Sequence, residues 1–211
     1  MYNYIYNFVS GNLDLFRFIY SAFITLICFI IVLKTDRLFR ISNHQGIRYF
    51  RNAFFFYGVA FMLRYIMAFY SFVCPIFEFF IIMAAFFLLY SLVWKKFTDK
   101  KSSLFNQMIN TSYLISFAIA IADYFTQSYG FLFLSQIFIF TVASIISFKN
   151  IKKETSFSKT YFVIMILNLS AWVLNFIFVS FLSQRLRFIG NIYLLNIIVF
   201  LIFLYGVFKK K

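Results

Sequence analysis

The sequence predicts an all-α membrane protein, a bundle of seven transmembrane helices with its N terminus outside and its C terminus cytoplasmic. Three observations lead there. Of the 211 residues, 64% are hydrophobic and 12% charged, where a soluble domain carries about 25% charged residues. The apolar residues fall in runs of about twenty, each long enough at ~1.5 Å per residue to cross a ~30 Å hydrocarbon core. The basic residues gather in every second connection between those runs. Helices follow because lipid offers no water to satisfy a backbone, and the runs lack the ~10-residue alternation of a barrel.

The first run covers 16–34 and ends at Lys34. The second, 50–71, holds Arg64. The third, 76–94, opens after a turn marked by Pro75, holds Glu78 and stops before Lys95 and Lys96. The fourth, 107–125, is the least apolar and has Asp123 near its end. The fifth, 130–148, carries Gln136, Thr141 and Ser144. The sixth, 160–182, carries Asn168, Trp172 and Asn175. The seventh, 190–208, carries Asn196 and runs into Lys209, Lys210 and Lys211. The connections are short and residues 1–211 read as one integral membrane domain. The opening MYNYIYNFVSGNLDLF has no basic stretch before an apolar one and no small-residue cleavage site, so it reads as an outer interfacial segment rather than a signal peptide.

Orientation follows from the positive-inside rule. The first connection holds Lys34, Arg37, Arg40, Arg48 and Arg51. The third holds Lys95, Lys96, Lys100 and Lys101, and the fifth Lys149, Lys152, Lys153 and Lys159. With the three terminal lysines, sixteen of the twenty basic residues lie on one side if there are seven spans. The formal charge of +14 is then a topology signal in a multi-pass protein of the plasma membrane. It implies contacts of Arg37, Arg40, Arg48, Arg51, Lys95, Lys96, Lys152 and Lys153 with anionic inner-leaflet headgroups. It does not imply a nucleic-acid partner. Lys34 to Lys149 and Tyr90 to Tyr205 share one offset of 115 residues, which suggests a three-plus-one-plus-three internal repeat.

Charges inside apolar runs mark candidate sites, because each costs about 2.5–3.5 kcal/mol at mid-membrane. Arg64 follows Ala53, Tyr57 and Ala60 on one helical face. It lies at a depth similar to Glu78 across the turn near Pro75, so an ion pair between them is expected, with Asp123 as a third member. Asn168, Trp172 and Asn175 share one face, and Asn196 lies at the depth of Asn175, which sketches a polar seam. Ser112, Ser116 and Ala120 make a small-residue face on the fourth run. The ligand-pocket candidates are Arg64, Glu78, Asp123, Asn168, Trp172, Asn175 and Asn196. A packing staple and interhelical hydrogen bonding are the structural alternatives.

Absences narrow the function. The seventh run has no lysine for a retinal Schiff base, the one proline, Pro75, lies at a turn and only Gly58 lies well inside a run, so no helix is read as broken for transport. Cys28 and Cys74 lie at different depths and are expected to stay unbridged. The lone His44 is expected to be solvated, and no metal, cofactor or catalytic constellation is legible. Two readings remain ahead of an enzyme. One is a membrane sensor or partner-binding module with an outward polar pocket, acting with a cytoplasmic or membrane partner. The other is a small secondary transporter for a small polar or anionic solute.

Overall fold

The computed structural model describes residues 13–67, 70–94, 102–151, 156–181 and 193–209. They form seven α-helices and one 3-10 turn, with no strand among the described residues. The helices are α1 Leu13–Ser42, α2 Gln45–Ile66, α3 Cys74–Val93, α4 Ser102–Thr126, α5 Gly130–Ile151, α6 Ser156–Phe181 and α7 Tyr193–Lys209. The 3-10 turn, Ser71–Val73, leads into α3, where Pro75 occupies the first turn. Proline is tolerated there because that N–H has no helical acceptor.

The first connection differs from expectation. Residues 35–42, read as loop, continue α1, and α2 starts at Gln45 and ends at Ile66 instead of running to 71. Charge does not break a helix that has left the hydrocarbon. What ends α1 is Asn43, which turns to φ 47° while its N–H reaches Phe39 O at 2.7 Å, the left-handed cap that asparagine tolerates. Gln127 does the same after α4, at φ 51°.

Helix α3 is the centre of the bundle. It packs on α2, α4 and α5, while α1 packs on α2 and α7, and α6 on α5 and α7. Its stretch Ile81–Ala85 is buried without interruption. Around it the packing is aromatic: Phe56 meets Phe80 at 5.4 Å and Phe87 at 5.1 Å between ring centres, and Phe54 meets Phe203 of α7 at 4.9 Å. The α2 face of Ala53, Tyr57 and Ala60 is buried. Where α1 crosses α2, a methyl on Gly58 would stand 3.2 Å from Cys28 Cβ. Such small-residue approaches are how helices gain dispersion contacts in lipid, which supplies no hydrophobic drive of its own.

The outer surface is apolar. Leu33 is 72% exposed, Leu114 71% and Phe138 70%, an arrangement suited to lipid and costly in water. Four helical stretches are long and apolar enough to cross a membrane: Phe18–Ser42, Cys74–Val93, Phe105–Thr126 and Gly130–Asn150. Shorter apolar stretches run over Tyr161–Ile177 and Asn196–Phe208. Several helix hydroxyls close on their own backbones, as suits lipid. Thr111 bonds Gln107 O at 2.8 Å, Thr141 bonds Ile137 O at 2.7 Å and Thr126 bonds Ala122 O at 2.9 Å. The repeat's paired tyrosines sit in unlike places: Tyr90 is buried on central α3, whereas Tyr205 is exposed on peripheral α7.

Candidate functional site

One end of the bundle gathers acidic and polar groups from the start of α3, the end of α4 and the start of α5. Asp123 is buried, and its role is local. Its Oδ1 accepts the Phe131 N–H at 3.0 Å and its Oδ2 accepts the Leu132 N–H at 2.6 Å. The first N–H groups of a helix have no intrahelical acceptor, and a carboxylate there also complements the helix dipole. Asp123 therefore caps α5 from the end of α4 and fixes the turn between them.

Glu78, on the first turns of α3, is 1% exposed. The Cys74 thiol, one turn earlier, donates to Glu78 Oε1 at 3.3 Å and lies 3.5 Å from the Tyr129 hydroxyl. Glu78 Oε2 makes no hydrogen bond within the protein. The charge that acts on Glu78 is that of Asp123, another carboxylate. Gln136 lies one turn along α5 from Leu132, fully buried, with neither amide atom hydrogen-bonded. Ser116 on α4 is likewise buried, with its hydroxyl oxygen without a hydrogen-bond partner. Buried polar atoms are rarely left so, and each costs roughly 1–3 kcal/mol. Glu78 thus offers a free carboxylate oxygen beside a second carboxylate already spent on a helix cap. A proton or a small cation on that oxygen would relieve the repulsion between the two carboxylates.

The expected ion pair between Arg64 and Glu78 does not form. Arg64 lies over the Tyr20 ring of α1, 5.6 Å from its centre, and the Tyr20 hydroxyl accepts a hydrogen bond from Asn196 Nδ2 of α7 at 3.2 Å. The Arg64 side chain lies against α1, where the expectation set it against α3. The Tyr129 hydroxyl lies in the fields of both Glu78 and Arg64.

The proposed seam is not continuous. Asn168 Nδ2 donates to Ile164 O of its own helix at 3.2 Å. Trp172 packs edge-on against Phe133 of α5 at 5.9 Å. Asn175 is half-buried on α6. Ser112 and Ser116 on α4 are buried as a face, with Ser112 hydrogen-bonded to the Tyr90 hydroxyl of α3.

At the opposite end, Arg37, Arg40 and Arg48 are exposed. Arg51 is half-buried and paired with Asp36, which also holds Arg40 at 2.9 Å. Lys95, Lys96, Lys152 and Lys153, with the N-terminal segment 1–12, lie outside the described residues. His44 is not solvated as expected. It is half-buried, edge-on to Trp94 at 4.3 Å, because the early start of α2 draws it into the bundle end. Both cysteines are free thiols. Among the described residues, no group of three His, Cys, Asp or Glu is placed to hold a metal ion.

Sequence reasoning missed Tyr20, Cys74 and Tyr129. Cys74 had a signal, four residues before Glu78 on the same helical face. The chain is similar to an uncharacterized protein of Archaeoglobus fulgidus, 27% identical over 214 aligned residues that cover 91% of each chain. No family model matches the chain. No solved structure matches it.

Proposed function

We propose that the chain is one integral domain of the plasma membrane, spanning it seven times with the N terminus outside and the C terminus cytoplasmic. In this reading it is a membrane sensor or partner-binding module whose outer, acidic end receives a small cation. Its basic inner end rests on anionic lipids through Arg37, Arg40 and Arg48, and a cytoplasmic or membrane partner takes its output. The observation that carries the reading is the buried Glu78, with one oxygen uncommitted and a carboxylate rather than an arginine as its charged neighbour. Ionisable groups held against folding preference inside a membrane bundle are functional by default.

Helices α2 and α6 run unbroken, which favours a sensor over a carrier. The second reading, a small secondary transporter for a polar or anionic solute, rests on Arg64 with Tyr20 and Asn196 at the same end. Thermal unfolding in one detergent, across sodium, potassium and alkylammonium salts at fixed ionic strength, separates them. A cation at ~100 times its Kd stabilises by about 2.7 kcal/mol. That gain is expected in the wild type and lost in Glu78→Gln. A response that survives Glu78→Gln contradicts the proposal, and one lost only in Arg64→Gln with anions points to the second reading.

A further inference from the structure

At the basic end lies a half-open cavity of about 140 Å³, bounded by the end of α1, the start of α2, the end of α3, the start of α6 and the end of α7. Its walls include Leu38, Ile47, Phe50, Ile164, Phe203 and Val207. Four polar side chains also line it, Thr35, His44, Ser91 and Tyr161, and the three hydroxyls among them are already committed. The Thr35 hydroxyl donates to Ile31 O at 2.6 Å. The Ser91 hydroxyl donates to Leu88 O at 2.6 Å and shares a 2.7 Å hydrogen bond with the Tyr161 hydroxyl. His44, also at the cavity, is edge-on to Trp94. The lining therefore suits hydrocarbon and gives a polar solute little to hold. An apolar cavity of this size has room for a guest about as large as benzene, or a few carbons of a chain.

The surroundings carry the opposite chemistry. Lys34 stands over the Phe208 ring at 5.2 Å, beside the α1 and α7 walls. Arg37 and Arg48, next to wall residues Leu38 and Ile47, are exposed. An apolar hole ringed by cations at a bundle end matches an anionic amphiphile. We propose that this cavity seats part of an acyl chain of an anionic glycerophospholipid, with its headgroup phosphate among Lys34, Arg37 and Arg48. The inference deepens the proposed contact of the basic end with inner-leaflet lipid. It does not need the cation site at the other end.

Gly206 provides the test. It lines the cavity, and a methyl added there would meet nothing within 4 Å. Gly206→Leu should fill the space without strain and, by removing a glycine from a helix, should not lower stability. The full chain would be delipidated in detergent and titrated with short-chain phosphatidylglycerol, phosphatidylcholine or glycerol phosphate while melting is followed. Phosphatidylglycerol alone should raise the wild-type Tm, and Gly206→Leu should lose that rise while melting at or above lipid-free wild type. Ile47→Phe, filling from α2, should behave alike and serves if the first variant folds poorly. A full rise retained in a filled variant overturns the proposal, since the lipid would then bind by its headgroup at the surface. A rise with glycerol phosphate, or none with phosphatidylglycerol, overturns it also. Because detergent exposes both ends, an inverted membrane orientation would leave these outcomes unchanged and would show itself only in topology.

Discussion

Asp123 and Glu78 are both acidic, both buried and both at the same end of the bundle, yet their environments assign them different work. Asp123 has two backbone N–H donors and Glu78 one thiol. Removing the cap should cost folding directly: Asp123→Ala is expected to destabilise by about 1–2 kcal/mol, and Asp123→Asn by less, since an amide oxygen still accepts one of the two bonds. Chemical or thermal unfolding in a single detergent checks both. Glu78→Gln is expected to leave stability unchanged or raise it, because a neutral amide removes a buried charge without emptying the site. Gly46 poses a purely steric question at the other end. A methyl there would collide with the Trp94 indole at Nε1, so Gly46→Ala should lose about 1–3 kcal/mol by overpacking, and Trp94→Leu in the same chain should restore most of it. The two acids were legible in the sequence because a charge inside an apolar run stands out. Tyr20 and Tyr129 were not, since tyrosine at these positions looks like any of the 15 in the chain.

Among the elements, α2 departs most from its reading. It carries Arg48, Arg51 and Arg64, and it is absent from the four that qualify as spans by length and composition alone. Its burial between α1 and α3 explains how it tolerates those charges: Arg51 is paired with Asp36 and Arg64 lies on Tyr20. The helices themselves were legible from run length, but the ends of α1 and α2 were not. Charge density marked residues 35–49 as loop, whereas backbone geometry ends α1 only at Asn43. Likewise, 3.6-residue spacing gives the depth of a side chain but not which neighbour it faces, so Arg64 was matched to Glu78 when it turns to α1. A double-mutant cycle makes that distinction measurable. Arg64→Ala and Glu78→Ala should add within ~0.5 kcal/mol, as uncoupled sites do, whereas Arg64→Ala and Tyr20→Leu should show an interaction energy above that.

At the level of the whole molecule, the two ends have opposite chemistry: carboxylates and a thiol where α3 and α5 begin, and lysines and arginines where α1 ends and α2 starts. That polarity and the exposed apolar girdle between were foreseeable from the order of charges along the chain. The central place of α3 was not, because seven similar apolar runs do not reveal which of them touches three others. The claim on which the rest depends is that α2 crosses the membrane along with the four helices long and apolar enough to do so, since this puts the acidic and basic ends on opposite sides. Ser42, at the end of α1, and Ser128, in the turn before α5, are both exposed and separated by α2, α3 and α4. In a chain with Cys28→Ser and Cys74→Ser, single cysteines at 42 and 128 would be treated with a membrane-impermeant maleimide in intact cells and again after permeabilisation. Labelling of Ser128→Cys in intact cells, with Ser42→Cys reacting only once the membrane is opened, is the expected result. Labelling of both positions from the same side would mean that α2 does not cross, and would contradict the seven-span arrangement together with the separation of the two ends.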